Sequence, residues 1–146
     1  MSNIRNNNLF EQIKNLREQT KQNVAISVNS SLTMMYWEIG NKINQDILKN
    51  QRAEYGKEIV VTLSRQLQDN FGKGFDEKNL RRMMQFANAI EKQKVVTLSR
   101  QLSWSHFLAL LPLQESLKIE FYAQMSIVQN WGVRTLRERI DSMLYE

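Results

Sequence analysis

Five polar side chains recur at helical spacing in the middle of the chain, and their groups suit phosphates and base edges. They are Lys78, Arg81, Arg82, Gln85 and Asn88. At about 100° per residue they gather on one side of a helix, opposite an apolar stripe of Leu80, Met83, Met84, Ala87 and Ile90. Arginine suits guanine and phosphate, whereas asparagine and glutamine suit adenine. With Lys73 just upstream, the five form a candidate nucleic-acid-binding set.

A tight glycine turn, "FGKGF" at 71–75, precedes this helix. Gly72 suits the end of the preceding helix, and Asp76 suits the start of the next, with Phe75 packing on Leu80. Helix, turn and helix in this order predict a helix-turn-helix, which places its second helix in the major groove of DNA. The alternative is an ordinary solvated helix surface, and the charges of Asp76 and Glu77 oppose contact with phosphate.

Acidic residues around the same turn superficially offer a metal site. Asp69 is followed by Asp76, Glu77 and Lys78, an acid and then a D-x-K pattern. Metal-dependent cleavage needs carboxylates that converge on a divalent ion, typically from strands. These residues straddle a glycine turn, and Asp76 is better used as a helix cap. We therefore expect neither a metal site nor a cofactor.

His106 is the single histidine of the chain. Ser103 and Ser105 lie beside it in sequence, but no acid in that segment is placed to orient the ring as a catalytic triad requires. A packed or hydrogen-bonded histidine is the simpler interpretation, and we expect no catalytic residues.

The N-terminal third predicts two helices. Leu9, Ile13 and Leu16 begin the first. The second is a long amphipathic helix of roughly 25 residues, or about 38 Å, with apolar residues at Val24, Val28, Leu32, Met35, Ile39, Ile43 and Ile47. Gly40 inside it is expected to mark a close helix crossing. Because this length exceeds what a small core needs, we also expect self-association into a homodimer.

The remaining segments complete an all-α, compact multi-helix domain of six or seven helices with a helix-turn-helix-like unit. Helices are predicted at 55–67, 76–90, from a Ser103 cap to Pro112, at 115–130 and at 133–144. Residues 94–98 suit either a short wing or another helical turn. In the final helix Arg134 can pair with Glu138. Seven aromatic side chains are expected to pack in the core: Tyr36, Trp37, Trp104, Phe107, Phe121, Tyr122 and Trp131. Residues 1–8 are predicted to be a flexible N-terminus, and 9–146 a single domain.

The octapeptide "VVTLSRQL" occurs twice, at 60–67 and 95–102. The similarity stops at its borders, so the chain is not a solenoid of 35-residue repeats. Each copy places two leucines one helical turn apart. We interpret the repeat as one packing solution used in two helices.

Composition points to an anionic partner. The 146 residues carry a net charge of +5 and no cysteine. Between Arg65 and Arg100 eight basic residues stand against four acidic ones, which places +4 of that charge in one window. No stretch is apolar enough for a membrane span, and the polar start excludes a secretory signal. These features predict a cytoplasmic protein without membrane contact.

A series of ordered segments resembles the N-terminal domain of the YhcG family. The segments are "YWEIG" (36–40), "RAEYGKEIV" (52–60), "FGKGFDEKNLRRMMQF" (71–86), "LSWSHFLALL" (102–111), "EFYAQ" (120–124) and "WGVRTLRERI" (131–140). The resemblance implies a helical DNA-binding module ahead of a C-terminal PD-(D/E)XK nuclease domain in bacterial proteins. That nuclease half is absent from this sequence. The expected function is therefore a targeting module that is not an enzyme by itself, and the alternative is a protein-interaction or dimerisation module that docks the nuclease.

Overall fold

A computed structural model describes residues 2–50 and 54–142 of the chain, with side chains from residue 9 onward. Its α-helices are α1 (Ser2–Lys49), α2 (Tyr55–Phe71), α3 (Glu77–Ala89), α4 (Lys92–Leu98), α5 (Trp104–Leu110), α6 (Ser116–Val128) and α7 (Val133–Asp141). Short 3-10 helices lie at Lys73–Phe75 and Leu111–Leu113. The described residues contain no strand, and the predicted all-α fold is confirmed.

Helix α1 is one continuous helix of 48 residues, about 72 Å long at 1.5 Å per residue. The prediction of two separate helices in this region was wrong. Residues 17–23 are polar, but they include no glycine or proline, so nothing in the backbone ends the helix there. The helix starts at Ser2, and the flexibility of residues 1–8 stays a prediction.

The two halves of α1 differ in their surroundings. Every side chain of 9–28 is exposed, and we call this segment the free half. From Asn29 onward α1 packs against the other helices, and 29–49 is the packed half. The long apolar stripe expected from the sequence divides between them, because Val24 and Val28 are exposed whereas Ile43 is buried.

The packed half crosses α3 at very short range, as predicted from Gly40. A Cβ atom at Gly40 would lie 1.9 Å from the backbone oxygen of Met83 and 2.3 Å from its carbonyl carbon. Only a hydrogen fits in that space, so glycine at position 40 sets how closely the two helices approach. Tyr55 at the start of α2 also donates a hydrogen bond to Asp46, which joins α2 to the end of α1.

Helix α3 belongs to both apolar clusters of the fold. Its first turns bury Leu80 and Met83 against the packed half of α1 and α2. Its last turns bury Phe86 in a larger cluster with α4, α5, α6 and α7. Trp37 of α1 donates its indole N–H to the carbonyl of Ile90 at 2.8 Å, which satisfies a backbone group at the end of α3. Because α3 packs against other helices along its whole length, its backbone is a fixed support for the side chains on its outer surface.

Residues 94–98 lie in α4. Of the two structures predicted for this segment, the helical turn is therefore confirmed, and the extended wing is not formed. Exposed ion pairs join α4 to its neighbours: Lys92 contacts Glu38 of α1 at 2.7 Å, and Lys94 contacts Glu120 of α6 at 2.6 Å. The hydrogen bond to Glu120 and the charge of its carboxylate raise the pKa of Lys94.

His106 is a structural residue, as predicted. Ser103 caps α5 by accepting the backbone N–H of His106, and the His106 Nδ1 atom accepts the backbone N–H of Ser103 at 3.1 Å. The other ring nitrogen, Nε2, lies 2.9 Å from the carbonyl oxygen of Trp131. The imidazole therefore ties the start of α5 to the turn before α7.

Other expectations for the C-terminal part are confirmed. Helices α6 and α7 are separated at Trp131 and Gly132, and Arg134 Nε lies 3.5 Å from Glu138 Oε1. Phe107 and Tyr122 are fully buried in the core. Residues 143 and 144 of the predicted last helix lie outside the described residues. Within those residues, no helix combines the length and hydropathy needed to cross a bilayer.

Candidate nucleic-acid interface

The turn between α2 and α3 is built as its sequence predicts. Gly72 has a φ of +91°, a backbone conformation that favours glycine, and its N–H bonds the Gln68 carbonyl at 2.9 Å. The Asp76 carboxylate accepts the backbone N–H of Asn79 at 2.8 Å and so caps α3. Phe75 packs against the cluster that contains Leu80. Helix, turn and helix follow one another in the predicted order, and a helix-turn-helix geometry stays a prediction.

The outer surface of α3 carries most of the candidate residues. Lys78, Arg81, Gln85 and Asn88 are exposed, Arg82 is half-buried, and Lys73 is exposed on the preceding 3-10 helix. The opposite side of the helix is apolar, and its Leu80, Met83 and Phe86 side chains are fully buried. The side chains that the sequence placed together on one face thus do lie on the solvent side of one helix.

Four cations of this surface, which we call the cationic face, are Lys73, Lys78, Arg81 and Arg82. Arg81 is loosely paired with Glu77, at 4.0 Å, and both side chains are about half exposed. Such an exposed i,i+4 pair contributes only about 0.3–0.5 kcal/mol, so a phosphate can compete for the guanidinium. Among the described residues, no carboxylate lies within 4.0 Å of the side-chain nitrogens of the other three.

The two amide residues are tied to neighbouring elements. The side-chain amide of Gln85 donates to the carbonyl of Leu111 at 3.2 Å, and Asn44 of α1 donates to the Asn88 side-chain oxygen at 3.1 Å. Asn44 also donates to the backbone oxygen of Met84, at 2.9 Å. Each candidate amide therefore has one of its two groups engaged by the protein, Nε2 of Gln85 and Oδ1 of Asn88. An amide nitrogen carries two N–H groups and an amide oxygen two lone pairs, so bidentate recognition of adenine could coexist with these bonds, but only in the orientation that they fix.

Asn44 and Leu111 were not anticipated from the sequence. They border the exposed surface of α3, one on α1 and the other on the 3-10 helix after α5. Both are remote from α3 along the chain, and an isolated Asn in an amphipathic helix carries no signal for such a contact. The surface is thus chemically better suited to anionic backbone than to hydrogen bonding with particular bases.

The acidic residues of the turn do not form a metal centre in this structure. Asp76 uses its carboxylate as the cap of α3, and Asp69 lies near the end of α2. Across the described ranges, no group of three or more His, Asp or Glu side chains is arranged to hold a metal ion.

Comparisons with known proteins place nearly all of the chain, from residue 12 onward, in one family. The model of the family described as "DUF1016 N-terminal domain" matches residues 12–146. The chain is also 25% identical over 169 aligned residues to the Escherichia coli (strain K12) protein named "Putative nuclease YhcG". That alignment covers 94% of this chain but 45% of the relative, so the chain spans less than half of that protein's length. No solved structure matches.

Proposed function

The chain belongs to the DUF1016 N-terminal domain family, and on that premise we propose that it is a DNA-binding module that targets a bacterial nuclease domain and does not cut DNA itself. The relative is named as a nuclease and is more than twice as long as the segment matched here. A C-terminal nuclease domain in the full-length protein fits that difference. The lack of cysteine suits the reducing bacterial cytoplasm as the place of action.

The cationic face of α3 carries this proposal. Lys78, Arg81 and Arg82 project from a helix whose apolar side is buried, so their backbone is a fixed support. When they bind phosphate, only their side chains need to be ordered. The segment from Arg65 to Arg100, which contains this face, holds +4 of the net charge of +5. This concentration of positive charge would attract DNA before contact.

Recognition through this face should depend on phosphates more than on bases. Gln85 and Asn88 each use one amide group in a bond to the protein itself, which fixes the orientation in which the side chain can meet a base edge. Bidentate contact with adenine is possible only where that orientation matches the base edge, whereas cations bind the phosphates of any sequence. We therefore expect affinity for duplex DNA of mixed sequence with only a modest preference among sequences.

The test is the salt dependence of binding to a labelled mixed-sequence duplex, measured by fluorescence anisotropy. If about four phosphates are neutralised, log affinity should fall with log salt with a slope near −3.6, which is about 150-fold for a fourfold increase in salt. The double variant Arg81→Ala/Arg82→Ala should flatten that slope by about one to two units. Its circular dichroism should match the parent, because Arg81 is exposed, Arg82 is only half-buried, and the buried Leu80, Met83 and Phe86 are unchanged.

Arg134→Ala is the matched control. Arg134 lies on α7, is exposed and contacts Glu138, so its loss removes a positive charge away from α3. Its slope should stay within about half a unit of the parent. If the double variant binds as tightly as the parent at every salt concentration, the cationic face does not contact DNA. The dimerisation alternative would then be the better account of this domain.

A further inference from the structure

One exposed residue beside the cationic face has a backbone conformation that its side chain does not favour. Gln114 has a φ of +63° and a ψ of −36°, and across it the N–H of Glu115 bonds the carbonyl of Leu113 at 2.7 Å. These values describe a γ-turn of the strained kind, in which the central residue has a positive φ. Glycine adopts such a conformation at little cost, whereas a Cβ atom makes it unfavourable. The turn therefore favours glycine, but the chain has glutamine there.

Asn130 is the other residue with a positive φ and a side chain in the described part of the protein, and the fold accounts for it. It follows α6 and belongs to its C-terminal cap, in which the N–H of Trp131 bonds the Ser126 carbonyl at 2.9 Å. Asparagine tolerates this position of a helix cap well. Gln114 has no such explanation, because the connection to α6 needs the turn but not the glutamine side chain.

The turn at Gln114 lies directly beside the solvent side of α3. Gln85 donates from its side-chain amide to the carbonyl oxygen of Leu111 at 3.2 Å, and Gln114 donates its backbone N–H to the same oxygen at 3.4 Å. Both glutamine residues are exposed. A ligand that covers the outer surface of α3 at Gln85 therefore also meets the turn.

The Gln114 side chain is available to such a ligand. It makes no hydrogen bond to the described residues. Its amide nitrogen carries two N–H groups, which suit the oxygens of a phosphate. Residues that keep an unfavourable backbone conformation without a reason in the fold are concentrated at binding sites. The combination of strain, exposure and an unused amide indicates a role in binding.

We propose that Gln114 is a DNA-contact residue, whose amide donates a hydrogen bond to a phosphate oxygen beside the groove that α3 occupies. The contact rests on the proposed function, since it needs a duplex on the cationic face. A helix in the major groove brings the elements at its sides against the sugar–phosphate backbone. The 3-10 helix Leu111–Leu113 and the turn that follows it are such an element. An uncharged contact of this kind fixes where the duplex lies on α3.

A carboxylate next to the turn gives a first test. Glu115 is exposed and follows Gln114 directly, so its charge repels a phosphate that approaches the turn. Glu115→Gln should therefore increase the affinity for a duplex by about threefold at low salt, and by less as the salt concentration rises. An unchanged affinity would place the turn outside the interface and overturn the contact.

The sharpest test places a cation at each of the two residues with a positive φ. Binding of a labelled mixed-sequence duplex is measured by fluorescence anisotropy over a range of salt concentrations. Gln114→Lys puts a charge within reach of the phosphate, so the slope of log affinity against log salt should become steeper by about 0.9. Asn130→Lys is the matched control, because Asn130 is also exposed and lies beyond the far end of α6, about 20 Å along that helix from Gln114. Its slope should equal that of the parent.

Removal of the amide should weaken binding without changing the slope. Gln114→Ala keeps the Cβ atom but loses a hydrogen bond to a charged group, which should lower the affinity about 10-fold at every salt concentration. Gln114→Gly should lower it to the same extent. Its melting temperature in thermal circular dichroism should not fall below that of the parent, because glycine relieves the positive φ.

The outcomes separate this contact from the proposed function. If the parent binds with the slope expected of the cationic face, but Gln114→Lys leaves that slope unchanged or Gln114→Ala keeps the parental affinity, the contact alone is overturned. Equal steepening by Gln114→Lys and Asn130→Lys overturns it as well, since the effect would then be one of net charge. A lower melting temperature for Gln114→Gly would show that glutamine serves the fold, which also contradicts the proposal. A parent that does not bind the duplex removes both the proposed function and the contact.

Discussion

The free and packed halves of α1 belong to one helix, and both carry large apolar side chains, but their surroundings differ. The packed half contacts the domain through apolar side chains such as Trp37 and Ile43 and also through small and polar residues such as Gly40 and Asn44. The free half presents large aliphatic side chains to solvent. The amount of apolar surface along this helix is therefore a poor guide to which part of it is buried.

Close packing explains the difference. At the crossing with α3, backbone meets backbone, so only a residue without Cβ fits and polar side chains find backbone partners. Large aliphatic side chains are buried only against a complementary surface. The described part of the domain provides no such surface to the free half, whose side chains are all exposed. The packed half therefore contributes to the fold of the domain, whereas the side chains of the free half stay exposed.

The largest expected effect is that of Gly40→Ala. Alanine should favour the helix by about 1 kcal/mol on propensity alone. Its Cβ would meet backbone atoms of Met83 and Met84, the nearest at 1.9 Å, so α1 and α3 must separate. Overpacking of this kind costs about 1–3 kcal/mol or more, and the melting temperature should fall by several degrees in thermal circular dichroism.

Ser27→Ala in the free half is the control for that substitution. Ser27 is exposed, so the same alanine should leave the melting temperature unchanged or slightly raised. A stabilised Gly40→Ala would mean that the two helices do not cross at the distance described here. The distinction between the halves would then lose its main structural basis.

A smaller effect is expected from Asn29→Ala, at the border between the halves. The Asn29 amide donates to the carbonyls of Ser99 at 2.8 Å and Leu102 at 3.1 Å. Removing it leaves two partly buried carbonyls without this donor, which should cost about 1–3 kcal/mol. Urea denaturation should show a lower midpoint with an unchanged m-value.

Asn23→Ala gives the matched comparison six residues earlier. Asn23 is exposed on the free half, so its replacement should change the free energy of unfolding by less than about 0.5 kcal/mol. Equal losses for the two asparagines would show that the packed half begins earlier than Asn29.

Local signals in the sequence were sufficient for much of the fold. Gly72, Asp76 and Ser103 each end or begin a helix as predicted, because caps and turns act over a few residues. The continuity of α1 was missed for the converse reason. Polar residues 17–23 reduced the apolar periodicity, although only a backbone breaker would have ended the helix.

The repeated octapeptide shows where local signals fail. Its first copy is helical throughout within α2, but in the second copy the helix ends at Leu98. There Ser99 is buried, its hydroxyl lies 2.7 Å from that of Ser30, and its carbonyl bonds Asn29. In the second copy, Asn29 and Ser30 of α1 thus bond the residue at which the helix has ended. The same positions are buried in both copies, Val60 and Val95 as well as Ser64 and Ser99, which agrees with one packing solution, but only the first copy is helical throughout.

The candidate site was predictable to a similar extent. Periodicity placed the cations of α3 on its solvent side, because burial of one side of a helix follows from apolar spacing. It could not show that Asn44 and Leu111 bond Asn88 and Gln85, since those contacts depend on how distant segments meet. The apolar spacing of the free half was visible in the sequence, but only the structure shows that its large apolar side chains are exposed.

The smallest expected effect concerns charge pairs on the two halves. On the packed half, Glu38 Oε1 lies 2.7 Å from Lys92 Nζ of α4, and both side chains are more than a third exposed. Such a pair should contribute about 0.2–1 kcal/mol and less at high salt. A double-mutant cycle with Glu38→Gln and Lys92→Met should measure that coupling in urea. Lys92→Met alone should cost more than Glu38→Gln, because the ammonium also lies 6.0 Å from the centre of the Trp37 ring.

The corresponding cycle on the free half uses Lys14→Met and Glu18→Gln, which are four residues apart on one helix. An isolated helical extension frays before the domain unfolds, so its internal pair cannot add to the global free energy of unfolding. The coupling should therefore be near zero at every salt concentration. A coupling as large as that between Glu38 and Lys92 would show that the free half unfolds together with the domain, and α1 would then be one cooperative unit.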